Sequence, residues 1–117
     1  MKHTVSLKQN HQFRRLYSKG KSAVSPTLAL YCRKNRLGHS RLGVTVGTKV
    51  GKAVRRKRTR RRIREAYRIH EDAFLPGYDL VAVARVRAGH ARFGELERSL
   101  LQLMDKLHLL RREGKGP

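Results

Sequence analysis

Residues 52–74 read KAVRRKRTRRRIREAYRIHEDAF, and this stretch decides how the chain is organised. Eight of the ten positions from Arg55 to Arg64 are basic, which is typical of a disordered, self-repelling tail. On a helical wheel, however, one arc of about 120° collects the apolar and small side chains. The members of this arc are Thr59, Ile63, Ala66, Tyr67, His70, Ala73 and Phe74. The pattern therefore predicts an amphipathic helix, which Pro76 and Gly77 end.

The same wheel sorts the basic residues of this helix. Arg56, Arg60 and Arg64 form a ridge beside the apolar arc, and Lys57 and Arg61 lie further round. Like charges at this spacing cost about 0.2–0.5 kcal/mol per pair. The ridge therefore favours a polyanionic partner, whose phosphates arginine binds bidentately. The predicted basic motif comprises Lys52, Arg56, Lys57, Arg58, Arg60, Arg61 and Arg64.

Charge is distributed unevenly along the chain. Lys and Arg number 29 against 8 acidic residues, which gives a net charge of +21. Every acidic residue lies at Glu65 or later, so residues 1–64 hold only basic charges. This field favours nucleic acid over an anionic membrane surface. There are two alternatives to a nucleic-acid site. One is a general bias of the composition toward arginine, and the other, for any single arginine, is an ordinary solvated surface charge.

Length and composition limit the class of protein. With 117 residues and 38% hydrophobic content, we expect residues 1–117 to form a single nucleic-acid-binding domain, with an ordered core at about 6–110 and short tails. No apolar run reaches the roughly 18 residues of a membrane span, and the N-terminus lacks a secretory signal pattern. Cys32 is the one cysteine and is expected in the core, so an internal disulfide is excluded. These features predict a cytoplasmic protein without membrane association.

Other segments predict two further helices and several strands. Ser6 as N-cap, Gln9 three residues later and Gly20 as terminator predict a helix at residues 7–18. TLALYCR at 27–33 and RLGVTVG at 41–47 alternate with a period of two, which predicts two strands paired as an antiparallel hairpin. GKSAV at 20–24 adds a short strand before them. YDLVAVAR at 78–85 predicts a buried strand, and residues 92–110 predict a leucine-rich last helix.

Three aromatic residues suggest a second binding element. Tyr31 points to the face opposite Leu30 and Cys32, and Phe13 and Tyr17 lie on one side of the first helix. If that helix covers this face, the rings and the arginine ridge could line one groove. Stacking on unpaired bases contributes about 1–3 kcal/mol per base. Alternatively, Phe13 and Tyr17 only pack the helix onto the core.

The order of these motifs resembles that of one known family. Phe13 is followed by Tyr17 and Gly20, then LALYCRKN, RLGVTVGTKVGKAVRRKRTRRRIREAYR and GYDLVAVAR before the last helix. From about residue 7 to residue 109, the chain resembles the bacterial ribonuclease P protein subunit. The most specific part is VGKAV.R.R..RR.RE at 50–65. The family has Asn directly after the position of Arg56, whereas this chain has Lys57, so the role of that position is open.

The resemblance implies both a fold and a function. The fold is α+β, a small single domain with a four-stranded mixed sheet and three helices, in the order α-β-β-β-α-β-α, with a left-handed βαβ crossover. The implied partners are a catalytic RNA and precursor tRNA, whose 5′ leader is removed with Mg²⁺; no protein partner is required. Phe13, Tyr17 and Tyr31 match the leader-binding cleft. Arg56, Lys57, Arg60, Arg61 and Arg64 match the motif that faces the catalytic RNA.

The chain shows no pattern for catalysis of its own. Its six histidines are scattered, and residues 1–64 contain no carboxylate that could join a metal site. We therefore expect no catalytic residue in the protein, which would assist an RNA active site. No metal-binding residue is assigned, and whether side chains of the protein position a metal ion stays open. A basic ribosomal or other structural RNA-binding protein is the alternative, and the missing acids argue against a stand-alone nuclease. Oligomeric state, the type of catalytic RNA and further substrates stay open.

Overall fold

The computed structural model describes residues 3–111, which form a five-stranded sheet and three α-helices. The strands are β1 (Thr4–Ser6), β2 (Lys21–Val24), β3 (Leu28–Lys34), β4 (Ser40–Val46) and β5 (Tyr78–Ala84). The helices are α1 (Asn10–Lys19), α2 (Ala53–His70) and α3 (Phe93–Lys106). Short 3-10 turns occupy Thr48–Val50, Glu71–Ala73 and Val86–His90. The expected tails at residues 1–2 and 112–117 lie outside the described residues.

The sheet is mixed, with strand order β1-β4-β5-β3-β2. The predicted three helices and mixed sheet are confirmed, but the prediction of four strands is wrong because β1 precedes α1. This strand has only three residues, too few to show a periodic pattern. It is held by distant partners: the hydroxyls of Thr4 and Tyr67 lie 3.0 Å apart, and the His3 amide donates to Glu71 Oε2 at 3.0 Å.

The predicted hairpin between β3 and β4 is also wrong. β5 lies between them, antiparallel to β3 and parallel to β4, so that Ala82 is opposite both Leu30 and Val44. The reason is burial: Leu80, Val81 and Ala82 are all buried, so β5 is apolar on both faces and takes a central position. Because β4 and β5 are parallel, α2 forms the crossover between them. The handedness of this crossover stays a prediction.

The two faces of the sheet are covered differently. On one face, α2 and α3 pack over the large cluster that contains Leu30, Val44 and Leu80. Within α2, Thr59, Ile63, Ala66 and Tyr67 are buried, so the basic stretch is a folded helix rather than a tail. On the opposite face lies α1, over the small cluster of Leu7, Leu16 and Val81. We call these the α2–α3 face and the α1 face.

Helix ends differ from the predicted ones by a few residues. α1 begins at Asn10 rather than residue 7, because Ser6 belongs to β1. The N-cap is Gln9, whose backbone N–H donates to Gln12 Oε1 at 3.4 Å. Gly20 ends α1 as predicted. A Cβ there would lie 2.6 Å from the Leu16 carbonyl oxygen and 2.7 Å from that of Cys32, so only glycine fits. α2 ends at His70 and α3 at Lys106, each four residues short of the prediction.

Candidate RNA-binding surfaces

The three predicted aromatic residues lie together on the α1 face, and we call them the ring cleft. Tyr31 projects from β3 and meets Tyr17 of α1 edge to face, with ring centroids 4.9 Å apart and planes at 75°. Tyr17 remains 43% exposed, although large aromatic side chains are usually more buried than that. Its ring is therefore available to a ligand.

Phe13 is less exposed than Tyr17 and packs against the sheet. It packs against Gly43 of β4, where an added Cβ would lie 2.4 Å from the phenyl ring. Phe13 is half-buried and contacts the small cluster around Leu16. One edge of the ring also lines a surface pocket with Asn10, Arg14, Tyr17 and Thr45. Phe13 thus anchors α1 and contributes to the wall of the cleft.

On α2, four residues of the predicted basic motif line one surface pocket: Lys57, Arg60, Arg61 and Arg64. We call these four the arginine surface. Glu65 and Arg68 border it and form an ion pair, with Nη2 to Oε2 at 2.5 Å; this hydrogen bond lowers the pKa of Glu65. The Glu65 carboxylate is therefore already engaged by Arg68. Within residues 3–111 none of the four cations forms an ion pair, which leaves them available to phosphates.

The other three residues of the predicted motif lie outside this pocket. Lys52 is the exposed N-cap of α2, and Arg58 is exposed on another side of the helix. Arg56 is half-buried, and its Nε is buried without a hydrogen-bond partner among the described residues. Its stem therefore packs against the protein surface.

The sequence suggested that the ring cleft and the arginine surface line one groove. In the structure they do not. Tyr31 lies on the face of β3 opposite Leu30 and Cys32, as predicted, and α1 covers that face. α2 packs against the other face through Ile63 and Tyr67. Because successive side chains of a strand point to opposite faces, the sheet separates the two surfaces.

A third basic surface was missed by sequence reasoning. Beside α1, a surface groove of about 420 Å³ is lined by six basic side chains: His11, Arg15, Arg33, Lys34, Arg36 and Arg41. We call it the basic groove. The sequence contains one indication of this groove. Arg33 follows Tyr31 by two residues, so both side chains point to the same face of the strand. The rest depends on how α1 packs, which the sequence does not show.

Of the described residues, Asp79 is the one acidic side chain that lines the basic groove. Arg41 donates from Nε to Oδ1 at 2.8 Å and from Nη2 to Oδ2 at 2.6 Å, and Asn35 Nδ2 donates to Oδ1 at 2.9 Å. Burial raises the pKa of Asp79, but these hydrogen bonds outweigh it and hold the pKa below its usual range. The carboxylate thus stays ionised and neutralises Arg41.

Titratable groups elsewhere form pairs or line a shared pocket, as His3, Glu71 and Asp72 do. His70 pairs with Glu97 at 2.7 Å, and His90 lies 3.2 Å from Arg55 Nη1. Within residues 3–111, no three or more His, Cys, Asp or Glu side chains gather in a way that could hold a metal ion. Burial raises the pKa of the Cys32 thiol, although Lys21 acts in the opposite direction. No described helix is long and apolar enough to cross a membrane.

Together, the fold and the three surfaces define a small basic α+β protein of the RNA-binding class. A family model for ribonuclease P matches residues 1–108. The ribonuclease P protein component of Clostridioides difficile is 42% identical over 104 residues, which are 88% of this chain and 91% of that protein. That of Natranaerobius thermophilus is 38% identical over 112 residues, covering 96% and 97%.

Solved structures agree with this result. The RNase P protein of Staphylococcus aureus superposes with a TM-score of 0.83 at 29% identity, covering 91% of this chain and 97% of that one. The protein from Thermotoga maritima gives 0.79 at 30% identity, covering 86% and 96%. The chain therefore belongs to the ribonuclease P protein family, which confirms the resemblance seen in its motifs. A ribosomal or other structural role is not favoured.

Membership of this family defines the kind of activity. A ribonuclease P protein component works with ribonuclease P RNA in an RNA–protein endoribonuclease, and the protein alone is not the catalytic subunit. This is consistent with a role in tRNA 5′ processing.

Proposed function

We propose that this chain binds ribonuclease P RNA and the 5′ leader of precursor tRNA at the same time, as a single RNA-binding domain. The observation that supports this proposal is the placement of the arginine surface and the ring cleft on opposite faces of one sheet. A rigid sheet between two binding surfaces fixes their relative position. The protein can then hold the leader at a constant place relative to the RNA active site.

The arginine surface is the proposed contact to ribonuclease P RNA. Lys57, Arg60, Arg61 and Arg64 concentrate positive charge on one side of a rigid helix. Their side chains have donors but no acceptors, so they suit phosphate oxygens and carry little sequence information. Lys52, Arg56 and Arg58 add charge at the margins of this contact. Binding there is driven by release of counterions from the RNA.

The ring cleft is the proposed site for the leader. Unpaired bases stack on aromatic rings in any sequence, which suits leaders that differ between tRNAs. Tyr17 and Tyr31 carry the exposed ring surface, and Phe13 closes the wall. Mature tRNA has no leader, so the cleft would distinguish substrate from product.

We place Mg²⁺ with the RNA and not with this chain. The described residues do not fit a magnesium site, because Mg²⁺ needs oxygen ligands and no cluster of carboxylates exists among them. No step of the reaction is therefore assigned to a protein-bound metal. The chain contributes binding and orientation to endonucleolytic removal of the leader. We propose that it acts in the cytoplasm, where a lone buried thiol such as Cys32 stays reduced, and without a protein partner.

Reconstitution tests this proposal. The purified chain, added to its ribonuclease P RNA at low Mg²⁺, should promote leader removal from precursor tRNA, whereas the chain alone should leave the substrate intact. Replacing Tyr17 and Tyr31 together by Ala should weaken binding of leader-bearing substrate by about 1–3 kcal/mol for each stacked base lost. Binding of mature tRNA should hardly change.

A matched variant separates the two surfaces. Arg60→Ala should weaken assembly with ribonuclease P RNA, which the double tyrosine variant should leave intact. Equal losses for leader-bearing and leaderless tRNA in the tyrosine variant, with normal circular dichroism, would show that the rings only pack. Cleavage by the RNA-free chain would overturn the assignment of the chemistry to RNA.

A further inference from the structure

The basic groove lies on the opposite flank of α1 from the pocket beside the rings. Phe13, Arg14 and Tyr17 face that pocket, whereas His11 and Arg15, four residues apart and so on one side of the helix, face the groove. Both depressions open onto the α1 face of the sheet. Neither contains a residue of α2, so the groove is separate from the arginine surface.

The groove carries a strong uncompensated charge. Its one carboxylate, on Asp79, is bonded by both Arg41 and Asn35. Within residues 3–111, the remaining four permanent cations form no ion pair: Arg15, Arg33, Lys34 and Arg36. Four like charges around one concave surface repel one another, and an anion bound among them would relieve that repulsion.

The groove and the ring cleft lie on either flank of α1 and are connected through β3, which contributes a side chain to each. Tyr31 and Arg33 point to the same face of the strand, roughly 6.6 Å apart along it at the usual rise per residue. Opposite them on β5 lie Val81 and Asp79, in register with Tyr31 and Arg33 respectively. A single-stranded RNA whose bases reach the tyrosines therefore stays on this face of the sheet when its later phosphates reach Arg33.

We propose that the basic groove binds the phosphates of the single-stranded leader beyond the nucleotides that stack on Tyr17 and Tyr31. This inference rests on the proposed function of the ring cleft. The leader is favoured over ribonuclease P RNA because the groove shares its face and its strand with the rings, while the arginine surface lies behind the sheet. Contacts from Arg and Lys to phosphates carry no sequence information directly, so this contact is independent of leader sequence.

The test uses the holoenzyme and precursor tRNAs whose leaders are lengthened one nucleotide at a time. With the unaltered chain, affinity should rise in two stages, first as the leader reaches the rings and again as it reaches the groove. The Arg15→Ala/Arg33→Ala variant should lose only the second stage. For the longest leaders, the log–log salt slope should fall by about 1.4, because two single-strand phosphate contacts are lost.

Arg98→Ala/Lys106→Ala is the matched control. It removes the same charge from exposed positions of α3, on the other face of the sheet, and should keep both stages. If the groove variant behaves like this control, the proposal is overturned. It is also overturned if the groove variant weakens mature tRNA or ribonuclease P RNA as much as the longest substrate.

The tyrosine variant keeps this inference distinguishable from the function on which it rests. A loss of the first stage in Tyr17→Ala/Tyr31→Ala, with both stages intact in the groove variant, would refute the groove alone. If the tyrosine variant also keeps both stages, the ring cleft is refuted as well. Arg15 and Arg33 are exposed, so folding of the groove variant is checked simply by circular dichroism.

Discussion

The two faces of the sheet differ in how much apolar surface they bury. Among residues 3–111, the α2–α3 face contains a cluster of 21 buried residues, whereas the buried cluster of the α1 face consists of Leu7, Leu16 and Val81. One short helix, α1, covers only part of the second face and leaves the ring cleft and the basic groove open on its flanks. The difference teaches that stability is concentrated on one face, which leaves polar and aromatic groups on the other free for RNA.

The largest expected effect tests where the stability lies. Leu103 of α3 is fully buried on the α2–α3 face, so Leu103→Ala should lower the free energy of unfolding by about 2–5 kcal/mol. Exposed Gln102→Ala beside it should change stability by less than about 0.5 kcal/mol. Urea denaturation measures both. Similar small effects for the two variants would contradict the concentration of stability on this face.

A polar pair stabilises the α1 face. Asp79→Asn removes the ionic bonds from Arg41 and should lower the free energy of unfolding at neutral pH by about 1.5–3 kcal/mol. Because the folded pKa of Asp79 is depressed, this stabilisation is present above about pH 4 and is lost as the pH falls through the folded value. Denaturation of both proteins across this range should show the difference vanishing in acid. Exposed Asp105→Asn is the control. If the difference in free energy of unfolding between Asp79→Asn and the unaltered chain persists in acid, the ion pair is not its cause.

Phe13 packs closely on Gly43 and so holds α1 on its face of the sheet. A methyl group at Gly43 must displace the ring, so Gly43→Ala should cost about 1–3 kcal/mol and weaken leader binding. Gly47→Ala is a matched control, because apart from its chain neighbours no atom of residues 3–111 lies within 4 Å of its Cβ position, and its φ is −78°. Thermal melts and leader-affinity measurements should separate the two variants. If the two variants have the same melting temperature and the same leader affinity, the position of Phe13 does not depend on its contact with Gly43.

The smallest expected effect concerns the arginine surface. Arg60→Ala should reduce the magnitude of the log–log salt slope for ribonuclease P RNA by about 1, because one phosphate contact is lost. Stability should hardly change, since the guanidinium forms no ion pair among residues 3–111. Titrations at several salt concentrations measure the slope, with Arg98→Ala as control. An unchanged slope would remove Arg60 from the RNA contact.

Much of the local structure followed from sequence. The arc through Ile63 and Tyr67 predicted α2, because helical periodicity requires only neighbours three and four residues apart. Alternation along residues 28–33 correctly placed Tyr31 opposite Leu30. β1 was missed because three residues carry no period, and its position depends on Tyr67 and on the buried Glu71.

Sequence by itself determined the charge, the presence of three helices, the faces to which the residues of β3 and β4 point and the family. These properties depend on composition and on spacing over a few residues. Only the tertiary structure decided that β5 lies between β3 and β4, that α1 and α2 take opposite faces, and that Arg15 meets Arg33 in one groove. The physical reason is that strand order and helix placement are set by burial of apolar surface between distant segments, and no local period encodes which segments meet.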